Sequence, residues 1–162
     1  MRLETPLKLV GGTGSPYTQK MVALLRYRRI PYSIQWGQPE AACVAMGIEK
    51  PRPIFMPTFF FEGDDGIAAE CDSTPIIRRL EAMYSGRSVL PEDPALAFID
   101  YLIEDFADEW CTKYMFHYRW HFSDDADNAG TLLPLGMDVS MPTAFFQQFK
   151  QHISERQIGR LY

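Results

Sequence analysis

An α/β unit followed by an all-helical region is the fold class this sequence predicts, and three observations carry it. An apolar run, a glycine-rich loop and an amphipathic stretch follow one another over residues 7–29. Short apolar or alternating runs, each bounded by turn residues, recur as far as Ala69. Beyond Pro94 the apolar residues fall instead at helical spacing.

Leu7-Lys8-Leu9-Val10 predicts a first strand, and Gly11-Gly12-Thr13-Gly14 a loop that presents backbone N–H groups to an anion. Residues 17–29 carry Met21, Val22, Leu24 and Leu25 on one helical face. That helix should stop before Ile30-Pro31, because proline disfavours helical geometry in the residue preceding it. The cluster Lys20, Arg26, Arg28 and Arg29 reads as a solvated helix end whose cations suit the C-terminal dipole.

Tyr32-Ser33-Ile34-Gln35-Trp36 alternates as a second, parallel strand, and the Ala-rich residues 41–46 predict a short helix. Residues 54–61 and 67–69 read as a hairpin closed by Glu62-Gly63-Asp64-Asp65-Gly66, with Pro57 awkward unless at an edge, a bulge or a cis bond. Asp72-Ser73-Thr74-Pro75 caps a further helix whose buried face is Ile76, Ile77, Leu80 and Met83.

After a proline-bounded linker, residues 95–122 predict one long helix bearing Ile99, Leu102, Ile103, Phe106, Trp110, Tyr114 and His117. Residues 123–141 read as a loop, from Asp124-Asp125 and Gly130. Residues 142–157 read as a last helix with Phe145, Phe146, Phe149 and Ile153 on its apolar side.

A net charge of −5 and a pI near 5.2 argue against a dedicated nucleic-acid binder, whose affinity rests on neutralising phosphates. Cys43, Cys71 and Cys111 are odd in number and lack C-x-x-C spacing, so a reducing, cytoplasmic setting is expected with neither a disulfide framework nor a zinc site. Cys71 reads as a buried, inert thiol. His117 and His121 stand four apart without a third ligand, and no metal is expected; His117 should pack among Tyr114, Tyr118 and Trp120. Residues 1–6 lack the apolar core of a signal peptide, and no apolar run reaches membrane-spanning length.

Four local signals stand in order over the first half of the chain: Gly14-Ser15-Pro16-Tyr17, Met56-Pro57-Thr58, Asp72-Ser73 and Leu90-Pro91. Together they resemble the cytosolic glutathione S-transferase superfamily. The resemblance implies a thioredoxin-like domain over residues 1–84, built β-α-β-α-β-β-α on a mixed four-stranded sheet. A linker over 85–94 and an all-α domain over 95–162 follow, the latter short for the family, so that the chain is a fragment or reduced form or another subunit covers the gap.

By the same resemblance Ser15 serves the glutathione sulfur, cis Pro57 turns the Met56 backbone toward the cysteinyl unit, and Asp72-Ser73 hold the γ-glutamyl end. Glutathione is then co-substrate, an electrophilic small molecule its acceptor, and a homodimer the assembly, with no nucleic acid or membrane partner. Ser-Pro-Tyr-Thr also looks like the Cys-Pro-Tyr-Cys of glutaredoxins without its sulfurs, and a hydroxyl cannot form a mixed disulfide. Thr13 and Thr18 are alternative sources of the hydroxyl. Ser15 and Asp72-Ser73 can also be helix caps and nothing more, which leaves a non-catalytic binding or interaction module as the alternative.

Overall fold

The computed structural model describes residues 6–161; residues 1–5, in which no signal-peptide core was expected, and Tyr162 lie outside the described residues. The chain divides into two compact units between Pro91 and Glu92. The first unit runs β1 (Leu7–Gly11), α1 (Pro16–Arg28), β2 (Tyr32–Trp36), α2 (Pro39–Met46), β3 (Thr58–Gly63), β4 (Gly66–Cys71) and α3 (Ser73–Met83).

Its sheet has the order β2-β1-β3-β4, with β1 and β2 parallel and the other two pairings antiparallel. This is the thioredoxin-like arrangement. Side chains alternate across a strand, so Leu7, Leu9, Phe59 and Phe61 meet Met21, Leu25, Ile76, Ile77 and Leu80 of α1 and α3 on one face. Val10 and Phe60 meet Ala42 and Cys43 of α2 on the other. Buried on both faces, β3 can afford no polar residue between Phe59 and Phe61.

The strand at β3 starts later than the apolar run predicts. Pro53 and Pro57 supply no N–H to a ladder, and the Thr58 hydroxyl donates to the Phe55 carbonyl at 2.7 Å, so residues 54–57 stay outside the strand, with a bend at Met56 and Pro57. The hairpin closes through Asp64-Asp65, with Gly63 facing Gly66, whose φ of 109° favours glycine.

The basic cluster is corrected first at Arg28. Arg28 is not solvated: its side chain is 1% exposed and lies 3.0 Å from Glu81, itself 13% exposed. The guanidinium also donates to the carbonyls of Tyr84 (2.6 Å) and Gly86 (3.4 Å). Glu81 in turn accepts from the Ser88 hydroxyl and the Val89 N–H. The end of α1 is thereby tied to the end of α3 and to the segment that follows it.

The second unit is α4 (Pro94–Phe106), a π-helical turn (Ala107–Cys111), α5 (Thr112–Trp120), α6 (Ser123–Leu135) and α7 (Thr143–Ile158). Asp93 caps α4 by accepting from Ala95 and Leu96 N–H. The single long helix expected over 95–122 is interrupted by the π-helical turn, where the Thr112 hydroxyl donates to the Asp108 carbonyl at 2.6 Å.

The loop expected over 123–141 is instead mostly α6. Its inner face is Ala126, Ala129 and Gly130, small residues that carry little hydrophobic signal yet pack closely beside α7. A Cβ on Gly130 would stand 2.4 Å from Ser154 Oγ. Asp124 and Asp125, read as loop residues, lie in the first turn, where acidic side chains suit the helix dipole. Trp120 anchors this core, with Phe116, Leu133 and Ile153 around it.

Removing one partner of a buried ion pair strands the other charge, so Glu81→Ala should cost about 3 kcal/mol in urea denaturation. The Arg79–Glu70 pair is more than a third exposed on both sides, and Glu70→Ala should cost under about 1 kcal/mol. Equal losses would contradict the assignment of Arg28–Glu81 as the ionic anchor.

Candidate functional site

The glycine loop carries β1 into α1 along a path that side chains would block. A Cβ on Gly11 would lie 2.6 Å from Thr18 Cγ2, and one on Gly12 3.1 Å from Met56 Sδ. Thr18 is fully buried beneath the loop, its hydroxyl accepting from the Gly12 N–H at 3.4 Å. It is therefore part of the scaffold and withdrawn from any ligand. Thr13 is exposed, its carbonyl accepting from the Gln19 amide.

Ser15 is the N-cap of α1. Its Oγ accepts from the Thr18 N–H at 3.2 Å and donates to the Met56 carbonyl at 3.4 Å. Two of the residues singled out from sequence, 41 positions apart, are thus in direct contact. The Met56–Pro57 peptide is cis, as is Arg52–Pro53, for which no cis bond was expected.

Asp72 caps α3, its carboxylate accepting from the Thr74 N–H at 3.3 Å and its carbonyl from the Ile76 N–H at 3.4 Å. Its φ of 86° lies in a region that non-glycine residues occupy only at some cost, an outlier of the kind that clusters at ligand sites. Ser73, the first residue of the helix, is buried, and its hydroxyl accepts from Lys20 Nζ at 3.2 Å. Sequence reading placed Lys20 with the solvated cations; its approach to α3 depends on tertiary packing that no local spacing reveals.

Cys71 is corrected from buried to partly exposed, with its thiol 3.3 Å from the Pro53 carbonyl. Cys43 is buried, and burial followed by the nearby Glu40 carboxylate pushes its thiol pKa up, which disfavours the reactive thiolate. In the helical unit His117 stacks on His121, with ring centroids 4.5 Å apart, and meets Tyr118 edge-on. Of the three neighbours expected for His117, only Tyr118 makes a ring contact, while Trp120 turns into the core. Among the described residues no three His, Cys, Asp or Glu side chains converge as a metal-binding group. No helix among them is long and apolar enough to cross a membrane.

The family model of the glutathione S-transferase N-terminal domain matches residues 9–88. Through this domain the chain belongs to the glutathione S-transferase superfamily. A solved glutathione S-transferase of Methylobacterium radiotolerans, in complex with glutathione sulfonate, is 18% identical with a TM-score of 0.55; the match covers 96% of this chain and 65% of that one. The chain therefore spans less than two thirds of that relative's length. A glutathione transferase family member from Pseudomonas fluorescens Pf-5, with bound glutathione, is 18% identical with a TM-score of 0.45, covering 96% of this chain and 67% of that one. No curated protein matches the chain. At 18% identity the likeness is one of fold, and the transferase-fold site of this chain rests on its own residues.

The cap bond at Ser15 sets a stability expectation independent of any ligand. Ser15→Ala should destabilise the protein by about 1 kcal/mol, whereas Ser15→Gly should cost only a few tenths of a kcal/mol. Chemical denaturation of the two variants checks this, and a silent Ser15→Ala would contradict the capping role.

Proposed function

We propose that the chain binds glutathione in its N-terminal domain and conjugates it to an electrophilic small molecule. The observation that carries this is the contact of Ser15 with the Met56 carbonyl, beside the start of α1, in a domain whose α3 begins with Asp72-Ser73. Together they offer one subsite for a thiol and one for an amino-acid end. Glutathione needs both.

The thiol is a weak nucleophile until it loses its proton, and hydrogen-bond donors favour the thiolate. Ser15 O–H supplies such a donor without itself bonding covalently to the substrate. The Met56 carbonyl accepts from the cysteinyl N–H. Asp72 accepts from the γ-glutamyl ammonium, while Ser73 donates to its carboxylate. The thiolate then forms a C–S bond as the electrophile's leaving group departs with its electron pair, or as the adjacent carbon takes up a proton.

The complex of the Methylobacterium radiotolerans structure with glutathione sulfonate supports the choice of ligand for this fold. A homodimer belongs to the same reading, since α4 buries none of its residues and leaves Phe98 and Ile103 more than 60% exposed. A reducing, cytoplasmic setting fits the three cysteines, all of them free. Thiol-disulfide exchange through the loop is excluded, since serine stands where a glutaredoxin has its cysteine. The alternative, a binding module without catalysis, is favoured by one observation: Ser15 Oγ already has a complete structural role as a cap.

Calorimetric titration should detect glutathione at millimolar concentrations, and absence of binding there would overturn the transferase reading. If binding holds, Ser15→Gly, which keeps the fold, should lower conjugation kcat/KM by about tenfold, the effect of one charge-assisted hydrogen bond. Unchanged turnover would leave the binding module as the function.

A further inference from the structure

The stacked pair His117 and His121 has no part in the glutathione reading and does not depend on it. We propose that these two side chains form an open binding site on α5 for a divalent transition-metal ion of the nickel, copper and zinc class. Three observations carry it. His117 and His121 stand four apart at the C-terminal end of α5, where residues i and i+4 share one helix face. Their rings already lie side by side, with centroids 4.5 Å apart and planes inclined by 21°. An ion held by two imidazoles at about 2.0–2.1 Å needs their nitrogens about 3 Å apart, so a small rotation of each ring closes the chelate.

The second observation is the frame around the pair. Phe122 meets His121 edge-on at 4.9 Å and His117 at 6.2 Å, and Tyr118 meets His117 at 5.4 Å. The His121 N–H donates to the His117 carbonyl at 2.8 Å, so the backbone between the two is a closed helical turn. The rings therefore stand on a rigid element and lose little freedom on binding. Both histidines are exposed, so an ion reaches them from solvent.

The third observation is electrostatic. The C-terminal end of a helix dipole favours a cation, and the chain has a net charge of −5. Asp124 and Asp125, exposed in the first turn of α6, add negative charge just after His121. Arg119, two residues from each histidine, lies off their shared face.

The chemical class of the ion follows from the donors. Imidazole suits nickel, copper and zinc, whereas magnesium and calcium take oxygen ligands. A closed structural zinc site needs further protein donors, and among the described residues none joins the pair. Two histidines suffice for an open site in which water fills the other positions.

The test uses Ni2+ on the full chain, since this ion does not oxidise the exposed Cys111 thiol. Calorimetry at neutral pH should show one Ni2+ bound per chain and no binding of Mg2+. His117→Asn and His121→Asn should each weaken Ni2+ by about tenfold or more, because a lone imidazole lacks the chelate. His152, the remaining histidine, lies on α7, and His152→Asn should leave the affinity unchanged. No binding by the wild type, undiminished binding by either of the first two variants, or an equal loss in His152→Asn would overturn the site. Should a variant fail to fold, electron paramagnetic resonance of Cu2+ on the wild type, its exposed thiols alkylated, must show two imidazole nitrogens on the ion; one or none would count against the inference. Each of these outcomes leaves the glutathione reading as it stands.

Discussion

At Gly11 the backbone passes so close to Thr18 that a side chain there would collide with it, and at Gly12 a side chain would press on the Met56 sulfur. Much of the candidate site depends on this closeness. It lets α1 begin directly under the end of β1 and places Thr18 where its hydroxyl can satisfy the Gly12 N–H inside the protein. It also leaves Ser15 at the helix cap, within reach of the segment before β3. The loop is therefore a packed element in its own right, fastened from below by a buried threonine and from the side by a methionine. A flexible glycine tether would give Ser15 no fixed position.

The opposite end of α1 is fixed by a different kind of force. Arg28 is buried against Glu81 and the carbonyls of Tyr84 and Gly86, and Glu81 reaches on to Ser88 and Val89. Desolvating two charges is costly; Arg28 Nη2 and the Glu81 carboxylate offset part of that cost through hydrogen bonds to the segment after α3, while Arg28 Nε and Nη1 are buried without a hydrogen-bond partner, Nη1 having only the ion pair with Glu81. The apolar contacts of α1 and α3 with the sheet set the spacing of the two helices. The ion pair fixes their register. Since Lys20 lies on α1 and Ser73 begins α3, that register decides whether the two meet.

The first unit was largely legible in the sequence because its signals are local: alternation in β2, the triple Phe of β3, proline after α1, and the Asp-Ser cap of α3. The C-terminal unit was less so. α6 hides its inner face in Ala126, Ala129 and Gly130, whose value lies in how closely they admit Ser154 and Lys150, and closeness leaves no periodic apolar mark. Apolar spacing therefore predicts two helices where α4, α5, α6 and α7 stand, the division between α4 and α5 coming from the π-helical turn. Charged residues were the other blind spot. Arg28 and Lys20 look alike in sequence as members of one basic cluster, yet one is buried in an ion pair and the other bonds the head of α3. Only the fold separates them.

The serine at the loop tip raises the question of how a hydroxyl already engaged at both ends could act on a ligand. Its acceptor side is occupied by the Thr18 N–H and its proton by the Met56 carbonyl. The first bond needs no change, since a cap accepts with a lone pair and the hydroxyl proton can still turn. The second, at 3.4 Å, is long for an O–H donor and correspondingly weak. In the proposed complex the proton swings to the thiolate while the Met56 carbonyl takes the cysteinyl N–H in its place. The number of hydrogen bonds does not fall, and a neutral bond gives way to a charge-assisted one. The Ser15–Met56 contact is thus compatible with a working site, because it keeps both groups satisfied and oriented until a ligand offers each a better partner.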